Sequence, residues 1–111
     1  MNFTLAGKNQ LLNTLGGLTA ALYTTSNFST GEVTGGAYAR KAITYNTATT
    51  GTKTASVLPI FDIPAGVTIT HAALFDGATR IAEGPLVASE AYTAAGKYQL
   101  TASDLALTDP V

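Results

Sequence analysis

Residues 67–75 read VTITHAALF, and an Asp76-Gly77 step follows at once. Successive side chains of an extended chain point to opposite faces, so Val67, Ile69, His71, Ala73 and Phe75 share one face and Thr68, Thr70, Ala72 and Leu74 the other. A helix cannot use that order, because a period of two scatters the apolar set around a 3.6-residue turn. Asp-Gly then marks a tight hairpin leading into residues 80–82, since a two-residue turn needs positive backbone torsions that glycine tolerates. A chain with this signal builds antiparallel sheet.

The rest of the sequence agrees. Residues 6–17, AGKNQLLNTLGG, carry Leu11, Leu12 and Leu15 at helical spacing, and Gly16-Gly17 reads as a left-handed C-cap. One short helix is expected there. Residues 18–24, LTAALYT, alternate again as a strand. Residues 25–36, TSNFSTGEVTGG, are dense in Ser, Thr, Asn and Gly without a periodic apolar face, which predicts an exposed loop. Residues 37–45 are strand-like, and residues 54–63 are extended but broken by Pro59, which cannot donate a ladder hydrogen bond. Pro64-Ala65-Gly66 is a turn, Gly84-Pro85 interrupts the next run, and Gly96 precedes a last alternation in KYQLTA. In the tail, Asp104 reads as a turn residue after Ser103. Six to eight short strands between turn signals predict an all-β fold, a small jelly-roll-like β sandwich with one short N-terminal helix, as a single domain over residues 1–111.

Composition narrows the function. Only 12% of the 111 residues are charged, and six Lys and Arg against seven Asp and Glu leave a net charge of -1. A duplex-binding protein needs a basic surface, so no nucleic-acid partner is expected. The absence of cysteine removes disulfides, thiolate metal sites and thiol nucleophiles. No apolar stretch approaches the ~20 residues of a membrane span and no secretion signal is recognisable, so a soluble chain with no membrane partner is expected. A surface this poor in charge is either neutral and hydroxyl-rich or covered by other subunits.

Catalytic and metal chemistry find little support. His71 is the sole histidine, too few for a zinc site, and reads as a strand histidine held by backbone or hydroxyl groups. The seven acids are scattered and define no glycosidase pair. GEVTGG lacks the Lys-Ser/Thr of a phosphate loop and the three-glycine spacing of a dinucleotide fingerprint. Arg40 and Lys41 point to opposite faces of a strand and form no patch. The triplets Asn2-Phe3-Thr4 and Asn27-Phe28-Ser29 match glycosylation sequons by chance. No catalytic residue, cofactor or metal is therefore expected. Phe28, alone in a polar loop, either folds back as a lid on the core or is offered to a partner.

Three segments, TGEVTGGAYARKAITY, FDIPAGVTITHAALFD and GKYQLTASDLAL, in that order, resemble a family of small virion structural proteins of actinobacterial tailed phages. Its members are labelled head decoration, minor capsid or tail fibre proteins. The resemblance covers about residues 11–107. Glu32, Val33, Gly35, Gly36, Tyr38, Ala39 and Arg40 match its first motif, and Phe61, Asp62, Pro64, Ala65 and Gly66 its second. Physically, the glycines and Pro64 turn the chain, Tyr38 and Phe61 pack, and Arg40 ties an acid such as Glu32 or Asp62. Members often carry a longer insert after the Thr-His strand, clipped here to a tight hairpin.

The resemblance implies a non-enzymatic virion protein. The leading expectation is capsid decoration: a cement on the capsid exterior that binds the major capsid protein, as a homotrimer. The alternative is a tail fibre or tail-tip component contacting the host surface. A hydrolase acting on the host envelope requires an acid pair that the sequence does not define. Loop logic places the partner contacts in residues 1–8, residues 27–36 and the C-terminal tail, with Asn2, Phe3, Lys8, Phe28, Glu32, Tyr38 and Arg40 as interface candidates.

Overall fold

The computed structural model describes residues 1–100 and the backbone of Leu105–Ala106. It is the small all-β domain with one short N-terminal helix that the alternation predicts. The C-terminal tail contacts and the Asp104 turn lie outside the described residues.

Helix α1, Leu5–Asn13, opens on Thr4, whose Oγ1 accepts a hydrogen bond from the Gly7 N–H at 3.0 Å. It ends through Thr14, whose backbone N–H reaches the carbonyls of Leu11 and Leu12 and whose hydroxyl donates to the Leu11 carbonyl at 2.6 Å. Those bonds satisfy the last turn, so the expected left-handed glycine cap is not made, and neither Gly16 nor Gly17 has a positive φ. Two asparagines four residues apart pin the helix to residues 48–51, which lie ahead of Thr52. Asn13 exchanges hydrogen bonds with the backbone of Ala48, at 3.1 and 2.8 Å, and Asn9 accepts from the Gly51 N–H at 2.8 Å.

Among the described residues nine strands follow: β1 Leu18–Tyr23, β2 Lys41–Tyr45, β3 Thr52–Lys53, β4 Ala55–Val57, β5 Ile60–Ile63, β6 Val67–Asp76, β7 Thr79–Tyr92, β8 Gly96–Gln99 and β9 Leu105–Ala106. Five form an antiparallel sheet in the order β4-β2-β1-β6-β7, while β5 pairs with β8 and β3 with β9. Phe61 and Ile63 of β5, with Leu100, pack against Leu18, Ala20, Leu22, Ile43 and Ile69 of the main sheet. Pro59 separates β4 from β5 as expected, and its carbonyl accepts from the Leu100 N–H at 3.2 Å.

The alternation in β6 is not continuous in space. Pairing with β7 shifts between Ile69 and His71, so that Val67 and Ile69 lie on the inner face with Ala72 and Leu74, whereas Ala73 and Phe75 lie on the outer one. The sequence places residues 67, 69, 71, 73 and 75 on one face; the irregularity at Thr70 divides that set, because a one-residue slip exchanges faces. Both faces of β1 consequently carry buried side chains.

The hairpin frame also differs by one residue. Asp76 pairs with Thr79, so the loop is Gly77-Ala78, with the positive φ of 62° at its first position. That torsion suits a turn whose first central residue alone is left-handed. Gly84-Pro85 does not end the strand either. β7 lies at the sheet edge, where proline's missing N–H leaves no ladder bond unmade. Ile81 has no partner between the Leu74–Ala82 and Phe75–Arg80 pairs, and Leu86, Val87, Ala88 and Ser89 stand opposite Thr70 alone. Bulge, proline and excursion together blunt an edge that would otherwise template further strands.

Candidate interaction site

Strand β2 pairs with β1 only along Leu18–Ala20 and then departs, leaving Leu22 at a fully buried position with backbone groups to satisfy. The polar loop 24–40 takes over that role. The Val33 N–H donates to the Leu22 carbonyl at 3.0 Å, the Thr24 N–H donates to Gly31, and Glu32 forms a β-bridge with Tyr23. The Leu22 N–H donates to the phenol oxygen of Tyr38 at 3.0 Å. The expected exposed loop therefore buries Gly31 and Val33, and the expected strand at residues 37–45 begins only at Lys41. Gly35 and Gly36, with φ of 97° and 57°, turn the chain back so that Tyr38 and Arg40 meet Glu32.

Tyr38 Oη donates to Glu32 Oε2 at 2.9 Å, and Arg40 grips the same carboxylate through Nε at 3.0 Å and Nη2 at 2.8 Å. Of the two acids open to Arg40 from sequence, it takes Glu32. The guanidinium holds the Glu32 carboxyl below its ordinary pKa, against the opposing effect of desolvation, and the phenol adds to the lowering. Burial, reinforced by Glu32, raises Tyr38 far above the usual phenol value. The Tyr38 ring stacks on Phe61 at 6.2 Å, and the Arg40 guanidinium lies 3.9 Å from the centre of the Phe75 ring.

Phe28 folds back onto the outer face of the sheet. It packs against the cluster of Ala21, Tyr23, Ala73 and Phe75, edge-on to Tyr23 at 4.9 Å and to His71 at 5.7 Å. Arg80 fastens it, donating from Nη1 to the Phe28 carbonyl at 3.0 Å and pairing with Glu83 at 2.7 Å. His71 Nδ1 lies 2.7 Å from Thr70 Oγ1, in keeping with a strand histidine held by a hydroxyl.

The structure thus brings Glu32, Tyr38 and Arg40 into one network, Tyr38 packing on the inner core and Arg40 reaching the outer face that Phe28 roofs. Asn2 and Phe3 are exposed ahead of α1, Lys8 is half-buried on it, and none of the three joins that network. A separate open groove of about 290 Å³ lies beside the glycine turn, lined by Ala37, Ile63, Pro64 and Ala95 together with Asp62 and Lys97. Lys97 Nζ contacts Asp62 Oδ1 at 2.6 Å and, with Lys41 adding a weaker effect, holds that carboxyl below its usual pKa. Among the described residues no group of three or more His, Cys, Asp or Glu is placed to hold a metal ion, and no helix is long and apolar enough to cross a membrane.

The fold is thus a small all-β domain in which Glu32, Tyr38 and Arg40 close one loop onto its own sheet. The sequence profile of the family described as Podophage GP4 fiber I protein gp80 matches residues 4–108. The chain belongs to that family and is a structural component of a phage virion. No curated protein and no solved structure matches it.

Proposed function

We propose that this chain is a non-enzymatic fibre component of the virion, a rigid module that assembles with copies of itself and presents its loops away from the particle. The match to a podophage fibre family along nearly the whole chain carries this reading. The Glu32 network supports it, because a loop tied at both ends to its own sheet keeps its shape under load.

Decoration of the capsid exterior, with the major capsid protein as partner and a homotrimer as the docking unit, is the second reading. The scarcity of charge and the exposed apolar side chains Met1, Phe3 and Leu5 favour it, since charged groups are depleted from interface cores. Cryo-EM of the particle separates the two. Density for the chain in fibres at one vertex or on the tail supports the fibre reading; copies spread over the shell overturn it in favour of decoration. Absence from the mature particle removes both.

A further inference from the structure

Where the chain passes from β7 to β8, two layers bring together a carboxylate and two phenols. Glu90 and Tyr92 lie two residues apart on β7 and share a face, opposite Ile69 and Val67 of β6. Ile69 is fully buried and Val67 packs against the same core, so this face turns toward the β5–β8 ribbon. Tyr98 arrives from the ribbon. It stands opposite Phe61, a buried member of that core, and cross-strand partners share a face. Both tyrosine rings pack against the core, while Glu90 is exposed. Burial raises both phenols above their ordinary pKa, and the Glu90 carboxylate reinforces the effect on each, in keeping with a negative charge close to both hydroxyls.

The hydrogen-bonding capacity left over is all of one kind. Tyr92 Oη donates its single proton to the Lys97 carbonyl at 3.0 Å, so it offers only lone pairs to a ligand. Its ring is fixed in place over Gly96, where a Cβ would come within 3.0 Å of ring carbons Cδ1 and Cε1. Among the described residues, neither the Glu90 carboxylate nor Tyr98 Oη has a hydrogen-bond or ion-pair partner. The Lys97 ammonium is held by Asp62 at 2.6 Å and, one residue from Tyr98 along the strand, points to the other face. The cluster thus presents three acceptors, two aromatic rings and one negative charge that no described cation offsets.

We propose that Glu90, Tyr92 and Tyr98 form a binding site for the primary ammonium of a lysine side chain on a protein partner. A primary ammonium carries three donors for the three acceptors, one positive charge for the carboxylate, and an alkyl stem that lies against the rings. A quaternary ammonium has no donor, a guanidinium brings five in a planar fork, and a neutral sugar leaves the carboxylate without a counter-charge. Arg40, Arg80 and Lys97 of this chain are already held in intrachain pairs, which favours a different protein as the source of the lysine. The site belongs to the single chain and holds whether that chain stands in a fibre or on the shell.

The test titrates the isotope-labelled full chain with acetyl-lysine methylamide at constant ionic strength. Amides of Glu90, Ala91, Tyr98 and Gln99 are expected to shift and to saturate in the millimolar range, while Asp76, an exposed acid with no such rings beside it, stays still. Acetylating the probe's side-chain amine should abolish the shifts, and trimethylating it should weaken them, because the charge remains but the donors are gone. Glu90→Gln should weaken binding about fivefold, and Tyr98→Phe, which keeps the ring, about two- to fivefold. Retained circular dichroism and thermal midpoints establish that both variants fold. Absence of shifts at these amides, or equal shifts at Asp76, overturns the site. A trimethylated probe that binds as tightly as lysine overturns the three-acceptor reading. Glucosamine binding more tightly than the lysine probe overturns the assignment to a protein side chain. Self-association of the wild type that Glu90→Gln abolishes would make a second copy the partner and overturn the assignment to a different protein.

Discussion

Replacing Tyr38 with Phe isolates the hydroxyl on which the loop closure depends. The ring and its stacking on Phe61 at 6.2 Å are kept, so packing is largely controlled. What disappears is one oxygen that accepts from the Leu22 N–H at 3.0 Å and donates to Glu32 at 2.9 Å. Leu22 is fully buried, and β2 is no longer alongside it, so no strand partner replaces the lost acceptor. An unsatisfied buried donor costs about 1–3 kcal/mol, and a hydrogen bond to a charged group contributes about 1.5–3 kcal/mol. The two effects share one atom and overlap, which puts the expected loss at about 2–4 kcal/mol. At ~4 °C per kcal/mol for a domain of this size, the thermal midpoint should fall by about 8–16 °C. Urea unfolding followed by circular dichroism measures the free energy, and amide exchange at Leu22 should accelerate more than at Ala20, which keeps its strand partners. A double-mutant cycle with Glu32→Gln should show coupling, because the two groups touch. A loss below ~0.5 kcal/mol, or unchanged protection at Leu22, would refute the claim that the phenol substitutes for a strand.

Two variants and one titration extend the test. Gly31→Ala places a Cβ 2.4 Å from Thr25 Oγ1 and 2.8 Å from the Asn27 carbonyl, so overpacking should destabilise the domain by about 1–3 kcal/mol in urea unfolding even though the φ of Gly31 is not positive. Asn13→Ala removes both bonds to Ala48 and should raise amide exchange throughout α1 while leaving the sheet protected. Glu32 has a folded pKa below the ordinary carboxyl value of 4.5, so its stabilisation is present above that value and is lost as pH falls through the folded pKa. Tyr38 has a folded pKa above the ordinary phenol value of 10.0, so its contribution is intact below pH 10 and is lost as the pH rises toward the folded value. Urea midpoints against pH should decline on both sides, and Glu32→Gln should flatten the acid limb.

Strand positions were legible because period-two alternation is a local property, and β1, β5 and the body of β6 sit where it puts them. The fold in β6 that exchanges its faces at Thr70 was not, because TITHAA alternates without a flaw. The slip belongs to β7, whose four unpaired residues stand opposite Thr70. The site was half legible. Glu32, Tyr38 and Arg40 stood out by motif, and the tie between Arg40 and an acid followed from their chemistry. That the acid is Glu32 depends on where β2 leaves β1, a tertiary fact with no signature in TGEVTGG. Asn9 and Asn13 were overlooked, although two poor helix formers on one face of a short helix are a signal that their side chains bond elsewhere.

The placement of charge carries one last consequence. Thirteen residues are formally charged, and among the described residues Glu32 with Arg40, Arg80 with Glu83 and Asp62 with Lys97 form intrachain pairs. Those pairs fasten the 24–40 loop, the Phe28 roof and the β5–β8 ribbon, so six charges of an already sparse set are committed to the fold. In the proposed self-assembly, contacts between copies therefore draw mainly on apolar and hydroxyl side chains. Screening shortens the reach of exposed charges from about 30 Å at 0.01 M salt to about 3 Å at 1 M. Self-association of the wild type should therefore change by less than about tenfold over that range in sedimentation or light scattering. An association constant that collapses with salt would place the binding energy in ion pairs, and the scarcity of charge would then have to be explained by something other than assembly.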